Sequence, residues 1–93
     1  MPHDATMIRE HLHLLEEALL LRKRLLQKYR EQMKILTARI PGEGLAFRTH
    51  KKYAAFRLEN RIKRCGNAMR CLSVAILAQR ATLSGQHLRF AMR

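Results

Sequence analysis

Only a few side chains of this 93-residue chain have the types and spacing that metal binding requires. Glu10 and His13 are three residues apart, which is the spacing of the carboxylate–histidine pairs that hold metals inside helical bundles. Such sites also take carboxylates from a facing helix, and residues 60–93 contain no Asp or Glu. His11 and His13 would point to nearly opposite sides of a helix. We therefore predict that the protein has no metal site.

The candidates for covalent chemistry and phosphate binding are also incomplete. Cys65 and Cys71 are six residues apart. On one helix this spacing separates them by about 120° around the axis, which puts a disulfide out of reach. Residues 41–44, Pro-Gly-Glu-Gly, lack the lysine and the preceding strand of a phosphate-binding loop. No Ser–His–acid or Cys–His set can be assembled, so we predict no enzymatic activity and no cofactor.

The charge of the chain is its strongest functional signal. Nineteen Lys and Arg residues against seven Asp and Glu residues give a net charge of +12. A charge of this size is typical of proteins that bind polyanions such as nucleic acids. The alternative is a basic subunit whose charge is neutralised by an acidic protein. Without a secretory signal or a long apolar run, we expect a cytoplasmic protein that does not cross a membrane.

The composition predicts a single all-α domain over residues 1–93, because strong helix formers dominate and only two prolines interrupt the chain. In the first half, apolar residues recur at alternating steps of four and three, the heptad pattern of a helix that packs along one seam. The pattern predicts a first helix over about residues 5–40. Its a positions are Leu12, Leu19, Leu26, Met33 and Ile40, and its d positions are Ile8, Leu15, Arg22, Tyr29 and Leu36.

The second half of the chain predicts a second long helix. Residues 41–48, which begin with proline and glycine, are expected to form a loop, and the helix follows over about residues 49–83 with a tail over 84–93. We prefer one continuous helix because the heptads run unbroken through Gly66-Asn67; the alternative is a three-helix bundle with a turn there. Its a positions are Ala55, Ile62, Met69, Ile76, Leu83 and Phe90, and its d positions are Leu58, Cys65, Leu72, Gln79 and Gln86.

Two antiparallel helices with these seams predict a helical hairpin. Pairing residues with the same heptad letter places Tyr29 opposite Cys65 and Arg22 opposite Leu72. Further apolar residues outside the seam need cover, so we expect hairpins to assemble into a four-helix or larger bundle, in the simplest case a homodimer. The predicted interface residues are Leu14, Leu21, Leu25, Val74 and Leu77. Asp4 and Thr49 are the expected N-caps of the two helices.

In such a hairpin the two most basic segments lie side by side near the loop. Residues 22–39 and residues 48–64 each hold seven basic residues and one acid. Phosphate neutralisation by these cations, with aromatic side chains available for base stacking, predicts a surface that binds nucleic acid, with RNA favoured over DNA. The predicted contact residues are Lys23, Arg24, Lys28, Arg30, Lys34, Arg39, Arg48, His50, Lys51, Lys52, Tyr53, Arg57, Arg61, Lys63 and Arg64.

We therefore expect a small, non-enzymatic accessory protein that binds nucleic acid as a homo-oligomer or within a larger protein or ribonucleoprotein complex. The alternative is a coiled-coil adaptor, chaperone or structural subunit that docks an acidic protein, for example in a secretion assembly. Arg22, a charged residue in the seam, is expected either to fix the register of the helices or to extend its charge out of the seam.

Overall fold

The computed structural model describes the backbone of residues 5–91 and the side chains of residues 5–85. In this part of the chain there are two helices, α1 over Ala5–Thr37 and α2 over Leu45–Ala91. They pack against each other along their length and form a rod of 74 × 17 × 16 Å. The prediction of an all-α helical hairpin is confirmed.

The ends of the helices differ from the predicted ones. α1 ends at Thr37 instead of about residue 40, and the connection spans only residues 38–44. α2 continues to Ala91, so a tail beginning at residue 84 is wrong for the described residues. A glycine ends a helix by taking a positive φ, and Gly85 does not have one. The serine–glycine pair therefore remains within the helix.

α2 runs without a break through Gly66 and Asn67, which confirms the preferred single helix and contradicts the three-helix alternative. The Asn67 side-chain oxygen accepts a hydrogen bond from Arg70 Nη2 at 2.7 Å, one turn along the same helix. A Cβ atom added to Gly66 would meet no atom within 4 Å. Neither residue is therefore held there by a turn or by close packing.

A tight turn reverses the chain between the helices. The Glu43 N–H donates to the Ile40 carbonyl at 3.4 Å, which closes a four-residue turn with Pro41 and Gly42 at its centre. Gly42 has a φ of 81°. Proline followed by a residue of positive φ is the pattern of a type II turn, which favours glycine at the second position. The turn lies at the start of the predicted loop of residues 41–48, and the chain reverses earlier than predicted, because the connection spans residues 38–44.

α2 begins four residues before its predicted start. The Gly44 carbonyl accepts a hydrogen bond from the Arg48 N–H at 3.1 Å, which makes Gly44 the N-cap. Thr49 was the predicted N-cap, but it lies inside the helix and its hydroxyl donates to the Leu45 carbonyl at 3.0 Å. The other predicted N-cap, Asp4, lies outside the described residues.

The predicted seam is the buried side of both helices. Every described a and d residue within α1 and from Ala55 onward in α2 is at least partly buried. Leu58, Cys65 and Ile76 are the most buried, at 7%, 6% and 5% exposure. Among the predicted seam residues with described side chains, Ile40 is exposed, because α1 ends before it and leaves it in the loop. The side chains of the predicted seam residues Gln86 and Phe90 lie outside the described ones.

The register at the middle of the rod differs from the predicted pairing. The Cys65 thiol donates to the Arg22 carbonyl at 3.2 Å. Tyr29, the predicted partner of Cys65, lies seven residues further along α1, a distance of about 10 Å. Arg22 and Cys65 are both at d positions, so residues with the same heptad letter still face each other, but the register is shifted by one heptad, because the chain reverses over residues 38–44 instead of 41–48.

The side chain of Arg22 stays on its own helix. Its guanidinium donates to the Ala18 carbonyl at 3.2 Å, one turn earlier in α1. The arginine is partly buried, and the hydrogen bond satisfies one of its donors without crossing the seam. This geometry agrees with the expectation that the charge extends along the helix surface.

Candidate nucleic-acid interface

The hairpin brings the two basic segments into the same half of the rod, because both adjoin the loop. We call this part, residues 22–64, the basic half. Residues 5–21 together with residues 65–91 form the apolar half. All fifteen predicted contact residues lie in the basic half, and all of them except Lys51 are exposed. The cations thus share one half of the rod.

Around the rod, the heptad positions divide the surface into two sides. In antiparallel helices the e positions adjoin one another on one side of the seam and the g positions on the other. Glu16 and Arg80, both at e positions, form an ion pair at 3.1 Å, which agrees with this arrangement. We call the surface of the b and e positions the b/e flank and the surface of the c and g positions the c/g flank.

The predicted contact residues do not form one surface, and this is a correction to the sequence-based hypothesis. A group of five is on each flank, two lie at outward-facing f positions, and three lie at or beside the loop. The c/g flank has Lys28, His50, Arg57, Arg61 and Arg64; the b/e flank has Lys23, Arg30, Lys34, Lys52 and Lys63; the f positions have Arg24 and Tyr53; the loop region has Arg39, Arg48 and Lys51.

The c/g flank of the basic half carries a row of three arginines. Arg57, Arg61 and Arg64 are four and three residues apart, so they follow one side of α2. Arg57 and Arg61 line a groove between the helices, which we call the arginine groove. Its other lining residues are Gln32, Ile35, Leu36, Ala54 and Leu58. The groove therefore has an apolar floor and a cationic wall.

No Asp or Glu occupies a c or g position in the described stretch from residue 22 to residue 64. The guanidinium groups of the arginine groove therefore have no carboxylate on their flank. The b/e flank differs, because Glu59 lies at an e position among its lysines. Further along that flank, a second groove contains both Glu16 and Arg80. The c/g flank is thus the more uniformly positive of the two.

Lys51 contacts the loop and the residues beside it, and it does not belong to the exposed cationic surface. Its ammonium donates to the Ala38 carbonyl at 2.9 Å, forms an ion pair with Glu43, and lies 5.2 Å from the centre of the Phe47 ring. The Lys51 and Glu43 side chains are only 16% and 9% exposed. Lys51 therefore joins the end of α1 and the loop to the first turns of α2.

The carboxylate of Glu43 is stabilised in its ionised form. The hydrogen bond from Lys51 lowers its pKa, partial burial opposes this, and the charge of Lys51, the Ile40 N–H and the charge of Arg48 lower the pKa further. The pair neutralises the charge of Lys51, so Lys51 was wrongly assigned to the free cations. Its place in the sequence could have shown this: Lys51 is four residues before the a position Ala55 and so faces the seam.

The aromatic residues near the basic segments do not line the arginine groove. Tyr29 is partly buried in the seam, as its d position predicted. Phe56 and Tyr53 are exposed, but they occupy b and f positions, away from the arginine row. The ring of Phe47 lies against Lys51. Base stacking on these rings is therefore not a property of the groove itself.

The exposed leucines predicted to form an interface also lie on different sides. All five predicted residues are exposed. Leu14, Leu21 and Leu25 occupy c or g positions, whereas Leu77 is at a b position and Val74 at an f position. A single flat interface cannot contain all five.

Over the described residues, neither helix has an apolar stretch of sufficient length to span a bilayer.

The residues considered for metal binding are arranged differently from the expected pair. His13 Nε2 lies 2.9 Å from Glu17 Oε1, one turn further along α1, instead of pairing with Glu10. Among the side chains of residues 5–85 there is no cluster of three or more His, Cys, Asp or Glu residues that could hold a metal ion. Both cysteines are free; Cys65 is buried in the seam and Cys71 is exposed.

Similarity to known proteins gives no further information on this surface. Comparisons with protein-family models, with curated proteins and with solved structures find no match to the chain. The position of the arginine groove thus comes from the helix contacts and heptad positions described above.

Proposed function

We propose that this protein binds nucleic acid, with RNA preferred over DNA, through the arginine groove, and that it does so without catalysing a reaction. The observation that supports this proposal is the row of Arg57, Arg61 and Arg64 on a flank without carboxylates. A guanidinium forms paired hydrogen bonds with a phosphate and releases a condensed counterion. The row spans about 10 Å of helix, enough to meet successive phosphates of one strand.

The apolar floor of the groove favours RNA that has unpaired bases. Ile35, Leu36, Ala54 and Leu58 lie beside the arginines. An unpaired, unstacked base can lie against such a floor while its phosphate meets a guanidinium, whereas duplex bases present only their edges. Single-stranded and loop regions are common in RNA, which is why we propose RNA as the ligand.

We also propose that the hairpin acts as a homo-oligomer and as an accessory component of a larger complex. Only Leu58, Cys65 and Ile76 are buried among the described side chains, and exposed leucines lie on both flanks. A helical pair with so small a core gains stability from further helices. An oligomer that carries several such grooves would bind one RNA more tightly than a single groove, because the later contacts are intramolecular.

A salt titration tests the proposal. Fluorescent single-stranded RNA, stem-loop RNA and duplex DNA of equal length are titrated with the protein at several salt concentrations. We expect the stem-loop and single-stranded RNAs to bind more tightly than the duplex. The logarithm of the affinity should fall linearly with the logarithm of the salt concentration, by about 0.7 per phosphate contact for a single strand.

Two outcomes would refute the nucleic-acid proposal. One is the absence of binding at low salt, and the other is binding whose affinity does not change with salt. If the protein instead binds an acidic polypeptide with high affinity and nucleic acids only weakly, the alternative of an adaptor for an acidic protein replaces the present proposal.

A further inference from the structure

On the c/g flank of the apolar half, α1 contributes large apolar side chains and α2 contributes small ones. On α1, Leu14 and Leu21 of the apolar half and Leu25, one turn inside the basic half, are exposed at c and g positions, and we call them the leucine ridge. On α2, Ala68, Ala75 and Ala78 occupy c and g positions, and we call them the alanine trough. Ala68 and Ala75 are partly buried and Ala78 is exposed. A raised apolar strip therefore lies beside a low one.

The rod exposes much more surface than a compact chain of its length. Its solvent-accessible area is 8075 Å², whereas a compact monomer of this size exposes about 5,600 Å². The excess of roughly 2,500 Å² is comparable to the area that obligate homodimers bury. A second copy of the chain can supply the missing cover.

We propose that a second copy of this chain packs on the c/g flank of the apolar half, with the two rods antiparallel, the two leucine ridges in contact and the two alanine troughs in contact. The two-fold axis of antiparallel rods is perpendicular to them, so it places α1 on α1 and α2 on α2 in one interface. The proposal rests on the homo-oligomer proposed above and adds its surface and its orientation.

Charge decides between the two possible orientations. Residues 22–64 of each rod carry eleven more positive than negative charges, while the other residues together carry only one more. Parallel rods would place the two basic halves side by side, where like charges repel. Antiparallel rods keep the loops at opposite ends, and each arginine groove remains beyond the leucine ridge, towards its own loop.

The b/e flank offers no comparable surface. Leu20 and Leu77 are exposed there, but Glu16, Lys23 and Arg80 line the same groove. The Glu16–Arg80 ion pair would lose water on burial, which opposes association through this side. The b/e flank therefore serves as the control surface.

Light scattering with paired alanine variants tests the surface. The wild-type chain should have the mass of a dimer. Ala78→Leu fills the trough and should weaken association at least tenfold, whereas Ala81→Leu, at an outward f position of the same helix, should leave it unchanged. Leucine is a strong helix former, so both variants should keep the helical circular dichroism of the wild type. A monomeric wild type, or equal masses for both variants, would overturn the proposal.

Energy transfer between loops tests the orientation. A dye is attached to Thr49→Cys, at an exposed site near the loop, in a Cys71→Ala background in which Cys65 stays buried. Alanine is chosen because Cys71 is exposed at a c position of the proposed surface and needs a small apolar replacement. Antiparallel rods separate the two dyes by about 70 Å along the rod, so transfer in the dimer should be weak. Strong transfer would show parallel rods and would contradict the proposed arrangement.

These measurements separate the dimer from the nucleic-acid proposal. A monomer that binds RNA with a steep salt dependence would overturn the dimer and leave RNA binding in place. An antiparallel dimer that binds no nucleic acid would do the reverse.

Discussion

Leu58 in the basic half and Ile76 in the apolar half are buried to nearly the same degree, at 7% and 5% exposure, but the surfaces around them differ. Leu58 lies under a groove with two arginines in its wall. Ile76 is followed directly by Leu77, which is 65% exposed. The same heptad seam therefore holds both halves, because packing two helices uses only the a and d positions. The outer positions are free to differ.

In this hairpin the seam positions hold the helices together, and the outer positions, which differ between the two halves, are available to bind partners. In the basic half the outer positions carry cations, whose mutual repulsion lowers stability unless a polyanion is bound. In the apolar half they carry leucine and alanine, whose exposure to water is unfavourable unless a partner covers them. Each half therefore has a surface whose energy improves on binding, and we propose a different partner for each.

The largest effect on stability is expected from substitutions in the seam, one in each half of the rod. Ile76→Ala and Leu58→Ala should each lower the free energy of unfolding by about 2–4 kcal/mol, since each opens a cavity at a buried site. Leu77→Ala, next to Ile76 but exposed, should change it by less than about 0.5 kcal/mol in the monomer. Urea denaturation at equal protein concentration measures all three. A loss below about 1 kcal/mol for either buried residue would show that its half is not held by the seam.

The next effect distinguishes the two flanks of the basic half. Replacing Arg57, Arg61 and Arg64 together by Gln should weaken RNA binding by about tenfold or more and reduce the salt slope by about 2. The matched control removes the same charge from the b/e flank of the same half by replacing Lys23, Lys52 and Lys63 with Gln. Affinity and slope should change less in the control.

Equal losses in the two triple variants would contradict the arginine groove as the binding site, because they would mean that only the total charge of the basic half matters. Circular dichroism of both variants checks that the hairpin remains folded.

A smaller effect compares two glycines, one at the loop and one at the boundary of the halves. Gly42→Ala should destabilise the hairpin by about 1 kcal/mol, because alanine is strained at a φ of 81°. Gly66→Ala should stabilise α2 by up to about 1 kcal/mol, since its Cβ would meet open space in an ordinary helical turn. Thermal denaturation of both variants should give changes of opposite sign. A loss of stability in Gly66→Ala would contradict a continuous helix at that position.

The smallest effect is the pH dependence of the Lys51–Glu43 pair. The pKa of Glu43 in the folded chain is lowered from its ordinary value of 4.5 by the Lys51 hydrogen bond. A carboxyl whose pKa is lower when folded contributes stability at pH above its unfolded pKa and loses it as the pH falls through its folded pKa. Glu43→Gln should therefore lower the Tm by a few degrees at neutral pH, and the difference from wild type should shrink below about pH 4.

The control for that measurement is Glu59→Gln, which removes an exposed carboxylate from the b/e flank. Its Tm should follow the wild type at both pH values. A Glu43→Gln variant whose Tm deficit is the same at neutral and acidic pH would show that the Lys51–Glu43 ion pair does not stabilise the loop.

Local patterns in the sequence were sufficient to predict the hairpin. The seam residues, the turn at Pro41-Gly42 and the continuity of α2 at Gly66 are properties of single stretches of chain, set by helical periodicity and by backbone preferences. The helix ends were predicted less well. Thr49 and Gly85 are types that often end helices, yet both lie inside α2: the Thr49 hydroxyl donates to the Leu45 carbonyl one turn earlier, and Gly85 does not have a positive φ.

The sequence by itself determined which residues face the seam and which half of the rod holds the cations, because heptad spacing and segment charge are both local. Only the tertiary structure decided the register, in which Cys65 meets the Arg22 carbonyl, and the commitment of Lys51 to the loop. It also showed how the grooves on the two flanks are composed. These features depend on where two distant segments meet in space. Several side chains of the same type could make such contacts, and only their positions in the folded chain determine which of them do.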